Sequence, residues 1–276
     1  MKSLVKKYHP ITATPFESGP FYREIEPCDA LKPYIRCFWG MDMPTSTVTD
    51  DETGIVIPDT CMDIIFSVNY TRNKCESHFC TLDERSFCTS GSADSDLTST
   101  FAIRFYAWTA ILFSEADFTG RKNAAFMTEE FFPYIKKQLE PQLSELTSLT
   151  EKAAAAEGIL LEMLCTDRIN SDFMNAVDLM LKTDGRAKIS DISLHTALSQ
   201  RQLERIFNFN TGLSPKAFSS LLRYQLVWQE MIRSPMFNVL DAVEKYGYTD
   251  QAHLLNDFKK RHMMTPTEAL RLALRK

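Results

Sequence analysis

Ser199-Gln-Arg-Gln-Leu-Glu-Arg-Ile-Phe207, closing in Gly212-Leu-Ser-Pro215, returns 51 residues later in degenerate form. The second copy reads Asp250-Gln-Ala-His-Leu-Leu-Asn-Asp-Phe258 and closes in Met263-Met-Thr-Pro266. Leu203 answers Leu254, Phe207 answers Phe258, and Ser-Pro answers Thr-Pro. A short apolar helix is expected ahead of each copy, over Ile189–Ala197 and Val239–Tyr246. A short helix, a tight turn and a second helix with a polar outer face make a helix-turn-helix. Two in tandem point to a reader of two neighbouring stretches of DNA major groove.

The chemistry of each copy follows from its spacing. Ser199 stands at the N-cap, where its hydroxyl satisfies a free backbone N–H of the first turn. Leu203, Ile206 and Phe207 share the inner face, and Arg201, Glu204 and Arg205 share another. Each arginine offers a bidentate fork to guanine O6 and N7, and Glu204 can accept from a cytosine amino group. Gln200 and Gln202 complete the candidate DNA-contacting set of the first unit. In the second unit Asp250 takes the cap, and Gln251, His253, Leu255 and Asn256 face the groove. Lys259, Lys260 and Arg261 follow and suit phosphate contacts.

Upstream the period changes. Gly54-Ile-Val-Ile-Pro58, Asp63–Val68 and Ser99–Tyr106 read as strands bounded by turn residues. Alternation puts Phe101, Ile103 and Phe105 on one face and turns Arg104 the other way, toward water or an acidic effector. Trp39, Phe66, Tyr106 and Trp108 join Arg104 as candidate effector-binding residues. From Phe131 to Arg168 leucines recur at helical spacing, with Pro141 and Gly158 suggesting an interruption. These leucines either pack on the β domain or form a seam with a second subunit; dimerisation through Leu143 and Leu146 is the expectation. The fold class is therefore α+β. A β-rich, barrel- or sandwich-like sensor domain spans 1–130, a helical connector 131–170, and a seven-helix domain with two helix-turn-helix units 171–276.

Charge agrees with that division. The net charge of −5 separates into +4 from Ser171 onward and −9 before it. No apolar run reaches the length of a membrane span, and the charged N-terminus lacks the apolar core of a secretory signal, so a cytoplasmic protein is expected. Seven cysteines, an odd number without a Cys-x-x-Cys pair, argue against a disulfide scaffold or a zinc site. Six lie between Cys28 and Cys88, which keeps a thiol-responsive sensor as an alternative. A cupin-like metal enzyme needs converging histidines, and of the five only His9 and His78 fall in the β region. No enzyme activity, metal or cofactor is expected.

The C-terminal pattern resembles the AraC/XylS family of transcription regulators. It is carried by Ile192–Ala197, Ser199–Phe207, Thr211-Gly-Leu-Ser-Pro-Lys-Ala-Phe218, Arg223, Ala242-Val-Glu-Lys-Tyr-Gly-Tyr248 and Phe258–Pro266. Met263 departs from the glycine usual there, and Leu255 from an often polar position. The resemblance implies double-stranded DNA as partner, two helices in successive major grooves, RNA polymerase as a further partner, and a small-molecule effector or dimer contact at the N-terminal domain. Tyr22–Pro27, Tyr34–Trp39 and Ile57–Phe66 look like the β-rich sensor domain of some of these regulators.

Overall fold

The computed structural model describes residues 8–11, 22–41, 54–89, 96–234 and 236–273. The charged N-terminal segment 1–7, read above against a secretory signal, lies outside them. Among these residues eight strands come first: β1 Tyr22–Ile25, β2 Ile35–Met41, β3 Gly54–Val56, β4 Cys61–Asn69, β5 Lys74–Cys80, β6 Phe87–Thr89, β7 Thr98–Tyr106 and β8 Ala125–Met127. Six form one antiparallel sheet in the order β1-β2-β7-β4-β5-β8, and β3 pairs with β6. Strand β7 lies between β2 and β4, and every residue from Phe101 to Tyr106 is buried. A central strand covered on both faces cannot turn alternate residues to water.

Nine α-helices follow among the described residues: α1 Pro133–Leu143, α2 Leu149–Met163, α3 Ser171–Lys182, α4 Ile189–Thr196, α5 Gln200–Thr211, α6 Pro215–Arg233, α7 Val239–Tyr246, α8 Gln251–His262 and α9 Pro266–Ala273. The connector breaks at 144–148, with Pro141 inside the last turn of α1 and Gly158 inside α2. A Ser148/Glu151 capping box starts α2. Helix α1 lies on β5, and α2 lies on β1, β2 and β7. Leu139, Leu143, Leu149 and Leu160 are fully buried there. The apolar stripe is thus consumed inside the chain, and the expected seam through Leu143 does not face outward. Leu146 is half-buried, and its carbonyl accepts from Tyr70 Oη at 3.0 Å.

The helical domain shares its core with the β domain. Trp108 meets Phe218 edge-on with centroids 6.4 Å apart, Phe218 meets Phe207 at 5.7 Å, and Phe207 meets Phe173 at 5.0 Å. Fully buried Gln225 of α6 donates to Pro58 O at 2.6 Å and accepts from Ile11 N at 3.0 Å. Gly212, at φ 72°, ends α5 against the 118–121 loop, where a Cβ would fall 2.0 Å from Arg121 O. Its counterpart Met263 ends α8 at φ 63° with its side chain exposed.

Two stability predictions follow from this packing. Left-handed backbone costs a side-chain-bearing residue roughly 1–2 kcal/mol, partly offset by the greater unfolded-state entropy of glycine. Met263→Gly is therefore expected to raise the unfolding free energy by about 0.5–1 kcal/mol in urea titrations; an unchanged midpoint would show the C-cap to be unstrained. His262 is fully buried, with Nδ1 2.7 Å from Tyr224 Oη and its ring stacked on Phe258, and burial pulls its pKa down to about 4. An unfolded histidine takes its proton near 6.5, so this group's contribution to stability is lost as pH falls from about 6.5 toward 4. Asp59, raised to about 6 by burial, acts with the opposite sign between about 4 and 6, so the comparison needs a variant. The stability advantage of the wild type over His262→Gln is expected to shrink by about 2 kcal/mol between pH 7 and pH 5; a constant gap would mean the imidazole is protonated in the fold.

Candidate nucleic-acid interface

Both helix-turn-helix units are built by the same local devices. Helix α4 ends at Ala197 in left-handed conformation, φ 54°, and α7 ends at Gly247, φ 67°. The first turn is Ala197-Leu198-Ser199 and the second Gly247-Tyr248-Thr249-Asp250. The additional residue explains why α4 and α7 repeat at an offset of 50 and α5 and α8 at 51. Ser199 Oγ accepts from Gln202 N, and Asp250 Oδ1 accepts from His253 N at 2.7 Å. Each cap satisfies one of the orphan donors that otherwise weaken a helix start. Leu203 and Phe207 of α5, like Leu254 and Phe258 of α8, are buried.

What remains outside on α5 is Gln200, Arg201, Gln202, Glu204 and Arg205, all exposed. Arg201 and Arg205 stand one turn apart on one face, so both forks are available to a groove. Gln202 is occupied otherwise: its Oε1 accepts from Ser199 N and from Ser199 Oγ, each at 2.8 Å, closing a capping box. On α8, Gln251, His253, Asn256, Lys259 and Lys260 are exposed, and Leu255 is half-buried. His253 Nδ1 accepts from Thr249 N at 3.3 Å, and its ring stands edge-on to Tyr248, which orients it.

Arg261 departs from its expected place. It is buried, its Nε lies 3.3 Å from Asp257 Oδ1, and its Nη2 donates to Ser220 Oγ at 2.9 Å. Ser220 also donates to Asp257 at 3.3 Å, and Tyr248 Oη donates to Asp257 at 3.0 Å. Arg261 thus ties α8 to α6 and has no free fork for a phosphate. Asp257, which the sequence reading passed over, centres this network; its spacing of four from Arg261 on one helix was the available signal. Arg223 has a similar role, with its guanidinium 5.1 Å over the Tyr248 ring and Nη1 donating to Gly247 O at 3.4 Å.

Four of the five effector candidates are buried in the core, and Trp39 is half-buried. Phe66, Tyr106 and Trp108 are buried, with Trp108 stacked on Tyr106 at 4.9 Å. Arg104 sits between two carboxylates of its own chain, 2.9 Å from Asp59 and 3.1 Å from Asp63. Trp39 Nε1 donates to Asp63 at 2.8 Å. Burial pulls against the Arg104 charge, but Asp59 and Asp63 outweigh it and hold the guanidinium protonated. Arg104 therefore neither faces water nor awaits an acidic ligand; it neutralises carboxylates that the fold has buried.

All seven cysteines are free, and Cys37 and Cys61 are buried. Burial pushes the Cys37 and Cys61 thiols far up and those of Cys75 and Cys80 to about 12, which opposes thiolate chemistry at these four. Among the described residues no cluster of His, Cys, Asp and Glu is arranged to hold a metal, and no helix is long and apolar enough to cross a membrane.

Comparison with known proteins agrees with the two-part architecture. A helix-turn-helix domain family model matches residues 192–271, and a model described as a domain of unknown function (DUF6597) matches 23–121. No curated protein matches the chain. Among solved structures, a Chromobacterium violaceum transcriptional regulator with an AraC-type DNA-binding domain is similar over 38% of this chain and 93% of its own, at 21% identity and TM-score 0.34. A probable AraC family regulator from Rhodopseudomonas palustris is similar over 38% of this chain and 98% of its own, also at 21% identity and TM-score 0.34. ToxT from Vibrio cholerae is similar over 87% of this chain and 99% of its own, at 12% identity and TM-score 0.43. The two linked helix-turn-helix units and the family model over 192–271 agree that the C-terminal part of this chain is a helix-turn-helix domain.

Proposed function

We propose that the chain is a sequence-specific transcription regulator that lays α5 and α8 into successive major grooves of one duplex and is controlled through its β domain. The observation that carries this reading is the pair of capped helices. Each buries a Leu and a Phe at one spacing and turns an exposed polar set outward: Gln200, Arg201, Glu204 and Arg205 on one, Gln251, His253, Asn256, Lys259 and Lys260 on the other. Arg201 and Arg205 read bases, and Lys259 and Lys260 anchor phosphates. Ser199 and Gln202 serve the reading helix by capping it. The second unit, without an arginine on its outer face, reads fewer bases than the first.

Control by the β domain is supported by its grip on the reader, through Gln225 on α6 and through loops that meet the ends of both reading helices. A signal there can shift DNA affinity only by binding the two states unequally, typically by about 5- to 150-fold.

Selection from a random duplex pool, followed by quantitative binding, tests the assignment. Arg201→Ala and Arg205→Ala are each expected to cost about 1–3 kcal/mol at one base pair and to relax preference there. Lys259→Ala is expected to weaken selected and unrelated duplexes alike and to flatten the salt dependence. A preference profile unchanged by both arginine substitutions would remove α5 from base reading.

A further inference from the structure

The β domain touches the ends of both reading helices through two loops that are laced to each other. At the first unit Phe118 N donates to Phe209 O at 3.0 Å, and Gly120 N donates to Asn208 Oδ1 at 3.1 Å. At the second, Ser86 N donates to Arg261 O at 2.7 Å. Between them, Asn123 N donates to Leu82 O at 2.9 Å, Glu84 N donates to Asn123 Oδ1 at 2.7 Å, and Lys122 pairs with Glu84 at 2.7 Å. Residues 81–86 and 118–124 therefore act as one strap joining the two units. A cleft of about 680 Å³ opens on this strap, and Cys80, Asp83, Phe87, Ala125 and, from α8, Lys260 contribute to its walls.

The charges in the cleft are unequal in their commitments. Glu84 is neutralised by Lys122, while Arg85 and Lys260 are exposed and solvated. Asp83 is half-buried and, among the described residues, has no cation partner. Burial, then the nearby Asp59 and Asp63 carboxylates, push its pKa up to about 6. Arg104 is already committed to Asp59 and Asp63, so it is not available to pair with Asp83. Phe87, 45% exposed, offers an uncovered aromatic face beside it. The Cys80 thiol, held up near 12, stays protonated and adds no competing nucleophile.

We propose that this cleft is the effector site and takes a small organic ammonium ion, its charge paired with Asp83 and its apolar body laid against Phe87 and Ala125. A carboxylate ligand laid against Phe87 would meet the Asp83 carboxylate instead. The assignment as an effector rests on the DNA-regulator reading, since Lys260 and the strap connect the cleft to the reading helices; the binding itself does not.

Calorimetric titration of the full chain at pH 7 separates the two. Phenethylamine is expected to bind saturably at one site per chain, and phenylacetate is not. Asp83→Asn is expected to weaken phenethylamine at least about tenfold, the value of one charge-assisted hydrogen bond. It removes a carboxylate whose ionisation burial opposes, so the variant keeps its fold. Phe87→Ala, at an exposed position, is expected to weaken binding about threefold or more through lost ring contact. Absence of saturable phenethylamine binding up to about 10 mM, equal binding of phenylacetate, or unchanged affinity in folded Asp83→Asn would each overturn the proposal. None of these readouts uses DNA, so each leaves the DNA-reading assignment standing.

Discussion

The proposed reading of one duplex by two helices requires a set separation between them, and the buried face of α6 sets it. Phe218 near its start packs on Phe207 of the first reading helix. Tyr224 and Trp228, two turns on, pack on Phe258 of the second at 5.5 and 5.9 Å. Burying aromatic side chains of this size stabilises by roughly 1.5–3 kcal/mol each, far more than the exposed polar pairs at either helix surface. The Arg261–Asp257–Ser220 network adds direction to what apolar contact alone would leave free to slide. Burial between two helices is what withdraws Arg261 from the outer face that its neighbours Lys259 and Lys260 keep.

The same helix makes the reader part of a larger body. An amide as deeply buried as Gln225 is tolerable only with its hydrogen bonds made, and its partners lie in the N-terminal part of the chain. Gly212 extends the argument to the end of α5, where the approach of Arg121 O leaves no room for a Cβ. The β domain thus holds the reader at its first helix-turn-helix, at its long helix and at the end of its second. The strap is hydrogen-bonded to the ends of α5 and α8, whereas Leu139, Leu143, Leu149 and Leu160 of the connector helices α1 and α2 are buried against the sheet.

The C-terminal architecture was legible because caps, apolar spacing and the returning Ser-Pro and Thr-Pro are local signals. The slip of one residue between the two turns was hidden in the alignment of the reading helices, which repeat at a constant offset. Arg104 was misread because alternation predicts which face a residue shares, not whether both faces are covered. Its cross-strand partner Asp63 could be known only once β4 and β7 were paired. The leucines of 131–170 carried the right periodicity, and periodicity is blind to whether the covering surface belongs to the same chain. The cleft at Asp83 was invisible for a related reason: its walls come from the 80s, the 120s and Lys260, and only the strap brings them together.

Hydroxyl-radical footprinting of the wild-type chain on a selected duplex tests the central claim, that one rigid subunit presents two readers to one face of DNA. The account predicts two protected patches on the same face, with centres about one helical turn, 10–10.5 base pairs, apart. A single patch from one subunit, or two patches on opposite faces of the duplex, would contradict it.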